Sequence, residues 1–196
     1  MTDYELVTRT IPLAQVQGWE RSDAEIARAD ARYFRVVAVD VEIGQREVAR
    51  WQQPLIASAP GGINAFVCAS LGGVLHFLVQ TRVEPGTFDI FELAPTVQMT
   101  PANYVAALPQ FGGQVLDALA CGGERVRFDC AQSEEGGRFF HDANRYVVVE
   151  PPGAAALALP RNFAWMSLGQ IKYLMQYANV FNVEARSLVA CLATLQ

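Results

Sequence analysis

Two pairs of side chains have the chemistry to move protons near neutral pH: His76 with Glu84, and Glu134 with His141. The first pair belongs to a run, residues 74–84, whose odd positions are Leu75, Phe77, Val79, Thr81 and Val83. Its even positions are His76, Leu78, Gln80, Arg82 and Glu84. Strand side chains alternate between faces, so one face reads as core and the other carries an imidazole, an amide, a guanidinium and a carboxylate. A second hairpin repeats the pattern: Gln132 and Glu134 share one face, and His141 and Arg145 share one on the returning strand. A turn centred on Gly136-Gly137 sets Gln132 opposite His141 and Glu134 opposite Phe139, a pairing that a one-residue slip would undo. Carboxylate, imidazole and guanidinium on one sheet face make an acid–base site. A solvated hairpin with cross-strand ion pairs is the plainer alternative.

The elements that position these groups follow from periodicity and punctuation. Residues 12–31 read as a broken helix, with Gly18 in the middle and Ser22-Asp23-Ala24-Glu25 as a capping box. Residues 33–43 read as a strand, and residues 51–56 as an edge strand because Pro54 cannot donate to a ladder. Residues 63–71 and 74–84 flank Gly72-Gly73 as a hairpin. A strand over residues 88–99 leads to a helix capped by Thr100 with Pro101 at its first position, broken near Pro109 and Gly112-Gly113 and ending at Cys121. The free N–H groups of such a terminus suit a diphosphate. The second hairpin spans residues 124–135 and 138–150, and a proline-marked loop (Pro151, Pro152, Pro160) ends the sheet. Amphipathic helices over residues 167–178 and 182–195 close the chain. Leu168, Ile171, Leu174 and Met175, then Val183, Leu188, Cys191, Leu192 and Leu195, face the core. The 196 residues predict one mixed α+β domain, 1–196.

Composition narrows the function classes. Apolar residues make up 52% and charged ones 18%, enough for a core and unlike a disordered chain. The net charge is −5 and the 15 basic residues are scattered, so nucleic acid and anionic membranes are not expected partners. No run reaches the roughly 18 apolar residues of a membrane span, and the acidic start, Met1 to Glu5, is unlike a signal peptide. Cys68, Cys121, Cys130 and Cys191 form no Cys-x-x-Cys pair and read as buried, reduced thiols of a cytoplasmic protein without a zinc site.

Several segments together resemble the NDP-hexose 2,3-dehydratases. They are Trp51-Gln52-Gln53-Pro54-Leu55, Leu75-His76-Phe77-Leu78-Val79-Gln80, Glu84-Pro85-Gly86 and Leu93-Ala94-Pro95-Thr96-Val97-Gln98. Further along come Ser133-Glu134-Glu135-Gly136-Gly137-Arg138-Phe139, Asn144-Arg145, Phe163-Ala164-Trp165-Met166-Ser167-Leu168-Gly169-Gln170 and Asn182-Val183-Glu184-Ala185-Arg186-Ser187-Leu188. The resemblance implies a Nudix-like fold, a mixed β-sheet core sandwiched by helices. It implies a lyase of deoxysugar and antibiotic biosynthesis that removes the C2 hydroxyl of a dTDP-4-keto-6-deoxyhexose and leaves a 3,4-diketo sugar. Members usually carry two copies of the unit and this chain has one, so a homodimer that mimics the tandem is expected. The expected helix before Cys121 has only Asp117 as an acid, which leaves no Nudix metal-binding box and disfavours diphosphate hydrolysis.

Such a dehydration needs a base, an acid and donors to an enolate oxygen, with no cofactor. Glu134 is the expected base and His141 the acid, with His76 and Glu84 in reserve. Gln80, Arg82, Gln98, Asn103, Tyr104, Gln132 and Arg145 are expected to bind the substrate, and Trp51 to stack on the base. Two other readings stay open: a cyclase, isomerase or dehydratase of the same fold acting on a polyketide-type intermediate, and a non-catalytic binding subunit.

Overall fold

The computed structural model describes residues 6–192, so the acidic start and Leu195 lie outside the described residues. The chain begins with a four-stranded antiparallel meander in sequence order: β1 (Trp19–Arg21), β2 (Glu25–Arg28), β3 (Phe34–Glu42) and β4 (Arg50–Ser58). The first two strands stand where a broken helix was expected. Ser22 Oγ does accept from the backbone N–H groups of Ala24 and Glu25, at 3.2 and 3.1 Å, but the Ser22 N–H donates to the Glu25 carbonyl at 2.9 Å and closes a hairpin turn. A serine can satisfy a turn by the bonds it would make at a helix start, so the local signal was ambiguous. Strand β4 is an edge, as Pro54 implied.

The second sheet contains the core. Strands β5 (Ile63–Leu71) and β6 (Val74–Arg82) form the expected hairpin about Gly72-Gly73, where φ is 58° and 80°. They pair only from Cys68↔Phe77 to Leu71↔Val74 and then diverge. Into the opening pass β7 (Glu92–Ala94), which pairs with β6, and β8 (Val97–Met99), which pairs with β5. The expected single strand over residues 88–99 is therefore two, because the chain crosses from one partner to the other at Pro95-Thr96. Thr96 sits at the point of the fork. Its Oγ1 accepts from Val67 N–H at 2.8 Å and donates to the Leu78 carbonyl. Val67 and Leu78 would have been the next pair of the hairpin, so one hydroxyl stands in place of that rung.

A single 3-10 turn (Pro101–Asn103) replaces the helix expected after Thr100, whose side chain makes no capping bond. The helix α1 (Gly112–Cys121) starts only after Phe111, which has φ 65°. The expected breaks at Pro109 and Gly112 thus mark its beginning, and the anion-binding terminus does not form at Thr100. Strands β9 (Val126–Ser133) and β10 (Ala143–Val149) are antiparallel, and β10 runs parallel to β5. Their register sets Gln132 opposite Asn144, not His141. The turn is not confined to the two glycines, because the loop between the strands binds the meander: Ile56 N–H donates to Arg138 O at 2.9 Å and Phe140 N–H to Ile56 O at 2.8 Å. The sheet also does not end at the prolines. Strand β11 (Phe163–Ser167) pairs with β6, giving the order β11-β6-β5-β10-β9.

Helices cover both faces of this sheet. Phe111, Val115 and Ala118 pack on Ala65, Val67, Leu78 and Val147 on one side. On the other, Ile171 of α2 (Leu168–Leu174) and Ala185 and Leu188 of α3 (Val183–Leu192) pack on Phe66, Phe77, Val79 and Val148. Adjacent Leu78 and Val79 are both buried, so strand parity could not separate core from site on β6. Cys68 and Cys191 are buried as expected, whereas Cys121 and Cys130 are exposed, and burial pushes the Cys68 thiol up to about 12. Among the described residues no helix is long and apolar enough to cross a membrane.

Thr96→Val keeps the shape at the fork but leaves Val67 N–H and Leu78 C=O buried without partners. It should cost about 2–4 kcal/mol in urea unfolding, while Thr96→Ser stays within about 1 kcal/mol of wild type.

Candidate active site

The fork opens into a cleft of about 570 Å³, lined by Tyr33, Asn64, Arg82, Gln98, Asn103, Tyr104, Asn144 and Glu184 among others. Its amides come from neighbouring strands. Asn64 of β5 is in register with Gln98 of β8 and with Tyr146 of β10, and Asn144 lies two residues before Tyr146 on the same face. Glu134, just past β9, is fixed to this row. Its Oε1 accepts from Asn144 Nδ2 at 2.8 Å and from the Tyr146 hydroxyl at 3.0 Å. Burial raises the Tyr146 pKa well above the usual range, and the Glu134 charge adds to the effect.

The start of α3 closes the other side. Asn182 Oδ1 accepts from Ala185 N–H at 2.9 Å as the helix cap, and its Nδ2 donates to Gln98 Oε1 at 2.9 Å. One buried amide thereby anchors α3 to β8 and brings Glu184, in the first helical turn, into the cleft. Burial raises the Glu184 pKa above the usual carboxyl range. The charges of Glu84 and Glu134 push the same way, and Arg82 opposes them. Arg82 bonds Glu84 through Nε at 2.7 Å and the Gln98 carbonyl through Nη1 at 3.4 Å. Tyr33 N–H donates to Asn103 Oδ1 at 3.1 Å.

Of the residues expected at the site, Arg82, Gln98, Asn103 and Tyr104 line the cleft, Glu84 bonds Arg82, and Glu134 holds the lining residue Asn144. The others have different places. Gln80 Nε2 donates to the carbonyls of Pro95 and Thr96, so its amide secures the fork. Gln132 Nε2 contacts Cys191 Sγ at 2.8 Å. Arg145 alternates to the far side of β10 and pairs with Asp129, whose pKa it lowers. Trp51 lies on β4, bonded to Gln53 Oε1 at 2.6 Å beside a separate hollow. His76 is near the hairpin end of β6, its Nδ1 2.9 Å from Val74 O. It is six residues from Arg82, which is about 20 Å of strand, so it is not paired with Glu84. His141 is exposed at φ 50°, with its ring edge-on to Phe140 at 4.4 Å. Glu134 takes Asn144 and Tyr146 as side-chain partners, not His141.

Tyr33, Asn64, Asn144, Tyr146, Asn182 and Glu184 were missed as site residues. Asn64 was visible as a lone amide in an apolar run, and Asn182 and Glu184 stood within a segment that carried the family resemblance. Among the described residues no group of three or more His, Cys, Asp or Glu side chains is placed to ligate a metal ion, and α1 has one acid, Asp117.

Asn182→Ala removes the cap and the tie to Gln98 together and should cost about 1–2 kcal/mol in urea unfolding. Asn182→Ser, which can still cap, should recover most of that loss.

The family model of the NDP-hexose 2,3-dehydratases matches residues 1–192. Relatives named dTDP-4-dehydro-6-deoxy-alpha-D-glucopyranose 2,3-dehydratase occur in Streptomyces violaceoruber and Saccharopolyspora spinosa. The first is 44% identical over 190 residues, 95% of this chain and 42% of the relative. The second is 43% identical over 193 residues, 98% of this chain and 40% of the relative. A third, in Amycolatopsis orientalis, is 40% identical over 190 residues, 96% of this chain and 40% of the relative. The chain thus spans less than half the length of these relatives. A solved ADP compounds hydrolase superposes with a TM-score of 0.50 at 15% identity, covering 87% of this chain and 89% of its own, a likeness of fold that agrees with the Nudix-like architecture expected. With the family's segments carried in order along these strands and helices, and the family pattern matched from residue 1 to residue 192, the chain belongs to the NDP-hexose 2,3-dehydratases.

Proposed function

We propose that the chain is a dehydrating unit that removes the C2 hydroxyl of a dTDP-4-keto-6-deoxyhexose in deoxysugar biosynthesis. The observation that carries this reading is the placement of Glu134, a carboxylate held by Asn144 and Tyr146 at a cleft of amides and hydroxyls, in a chain of this family. The 4-ketone acidifies the C3 proton. Two donors fix Oε1 of Glu134 in place, and among the described residues Oε2 has no hydrogen-bond partner, so it is open to take that proton. Electrons from the C3–H bond form the enolate, and the Arg82 guanidinium and the cleft amides are the nearby donors for its oxygen. The enolate expels the C2 oxygen, which leaves as water once it takes up a proton, and the resulting enol tautomerises to the 3,4-diketone. The reaction is redox-neutral and the proposal uses no cofactor and no metal.

The polar lining suits a polyol and argues against a polyketide-type substrate. The proposal extends to a cytoplasmic homodimer. Phe88, Ile90, Phe91 and Val105, in segments before β7 and after the cleft residue Tyr104, are more than half exposed and offer an apolar surface to a second copy.

Glu134→Gln should lower the dehydration rate roughly 10²- to 10⁴-fold with little change in folding, followed by mass spectrometry of the diketone. Wild-type activity in that variant would remove Glu134 from the base role. Light scattering at micromolar concentration should return twice the chain mass, and a monomer would count against the dimer.

A further inference from the structure

A base alone does not complete this elimination. Hydroxide is a poor leaving group, and the oxygen on C2 must receive a proton as its bond to carbon breaks. Glu184 is the one carboxyl among the described residues that line the cleft. Its helix is held to the cleft by Asn182, and Glu184 lies close enough to Tyr146, whose hydroxyl binds Glu134, for its charge to act on it. Two carboxyl groups therefore flank one tyrosine, from the end of β9 and from the start of α3.

We propose that Glu184 is the general acid that protonates the departing C2 oxygen, a catalytic role distinct from that of Glu134. This rests on the dehydratase reading above. The environments divide the work in the required sense. Glu134 is fixed through Oε1 by two hydrogen bonds, whereas Glu184 accepts no side-chain donor among the described residues and is partly buried near two other carboxylates. The titratable and charged groups around it are Glu84, Glu134, Tyr146 and Arg82. A carboxyl at the cleft whose burial favours its neutral form can serve as the acid, beside a second carboxyl with an open oxygen that can serve as the base.

The step balances. Glu134 takes the proton from C3, and the C3–H electrons pass through the enolate to form the C2=C3 bond. The C2–O bond breaks with its electron pair on oxygen, and Glu184 supplies the proton that makes this oxygen water. Tautomerisation then moves a proton from the C3 oxygen to C2, and the two carboxyls exchange one proton in total to regain their starting states.

The test separates proton abstraction from water loss. With dTDP-4-keto-6-deoxyglucose in D₂O, NMR reads deuterium entry at C3 and mass spectrometry reads the diketone. Glu184→Gln should lose roughly 10²- to 10⁴-fold in dehydration yet keep C3 exchange within several-fold of wild type. Glu134→Gln should lose both. The 2-deoxy-2-fluoro analogue carries a leaving group that needs little protonation, so Glu184→Gln should release fluoride within about tenfold of wild type. Glu184→Asp, which keeps a carboxyl at the helix start, should keep part of the dehydration. Dehydration at the wild-type rate in Glu184→Gln, or loss of exchange and elimination together with no fluoride release, would overturn the role of Glu184. Exchange that persists in Glu134→Gln would instead overturn the base, and a wild-type chain with neither exchange nor elimination would overturn both readings.

Discussion

The Thr96 hydroxyl takes the place of a rung between β5 and β6, accepting from Val67 and donating to Leu78. Two packed strands cannot separate without leaving backbone groups unpaired in an apolar interior, which costs far more than a surface gap. Here the hydroxyl satisfies both orphaned groups at once, and β7 and β8 take up the ladders beyond it. The Gln80 amide, on the Pro95 and Thr96 carbonyls, secures the same crossing. Because the strands stay apart, the sheet has an open end, and that end is the cleft.

The two carboxyl groups near this opening, Glu184 in the cleft lining and Glu134 behind Asn144, have different surroundings. Glu134 follows an outer strand and meets donors from β10, next to the opened region. Glu184 comes from a helix that covers the sheet, and its surroundings remove water while giving it only a backbone N–H and no side-chain donor among the described residues. The Glu134 charge adds to the cost of ionising Glu184. A helix start would ordinarily favour an ionised glutamate. Burial first, and then the two neighbouring carboxylates, raise the Glu184 pKa against the lowering by its own backbone N–H and by Arg82.

How much of this was legible in the sequence varied with the reach of each interaction. Gly72-Gly73 is a local signal, and its hairpin was read correctly. The amphipathic patterns around Ile171 and Leu188 are also local, and both residues are core. The crossing at Thr96 joins residues far apart in the chain, and nothing in residues 88–99 alone reveals that the segment changes partners. The Gln132–His141 pairing failed for the same reason: backbone groups of β4, more than seventy residues earlier, hold the loop that should have been a tight turn. At Ser22 a local signal existed but served two structures equally. Parity failed on β6 because both faces are buried. Among the site residues, Arg82, Gln98, Asn103 and Tyr104 were found through the segments in or beside the crossing, while Tyr146 reads in sequence as one more apolar strand residue.

Three buried polar residues, Asn64, Thr96 and Asn182, lie at this one end of the sheet, and among the described residues no buried side-chain nitrogen or oxygen is without a partner. A polar group in an apolar core is destabilising unless its bonds are complete, so each member fixes the position of the next. Thr96 sets where β8 begins, β8 presents Gln98, Gln98 receives Asn182, and Asn182 starts the helix that carries Glu184. Stability and the placement of the acid are therefore consequences of one chain of bonds. A change at Thr96 reaches Glu184 without touching it, whereas a change at Glu184 leaves the earlier links in place.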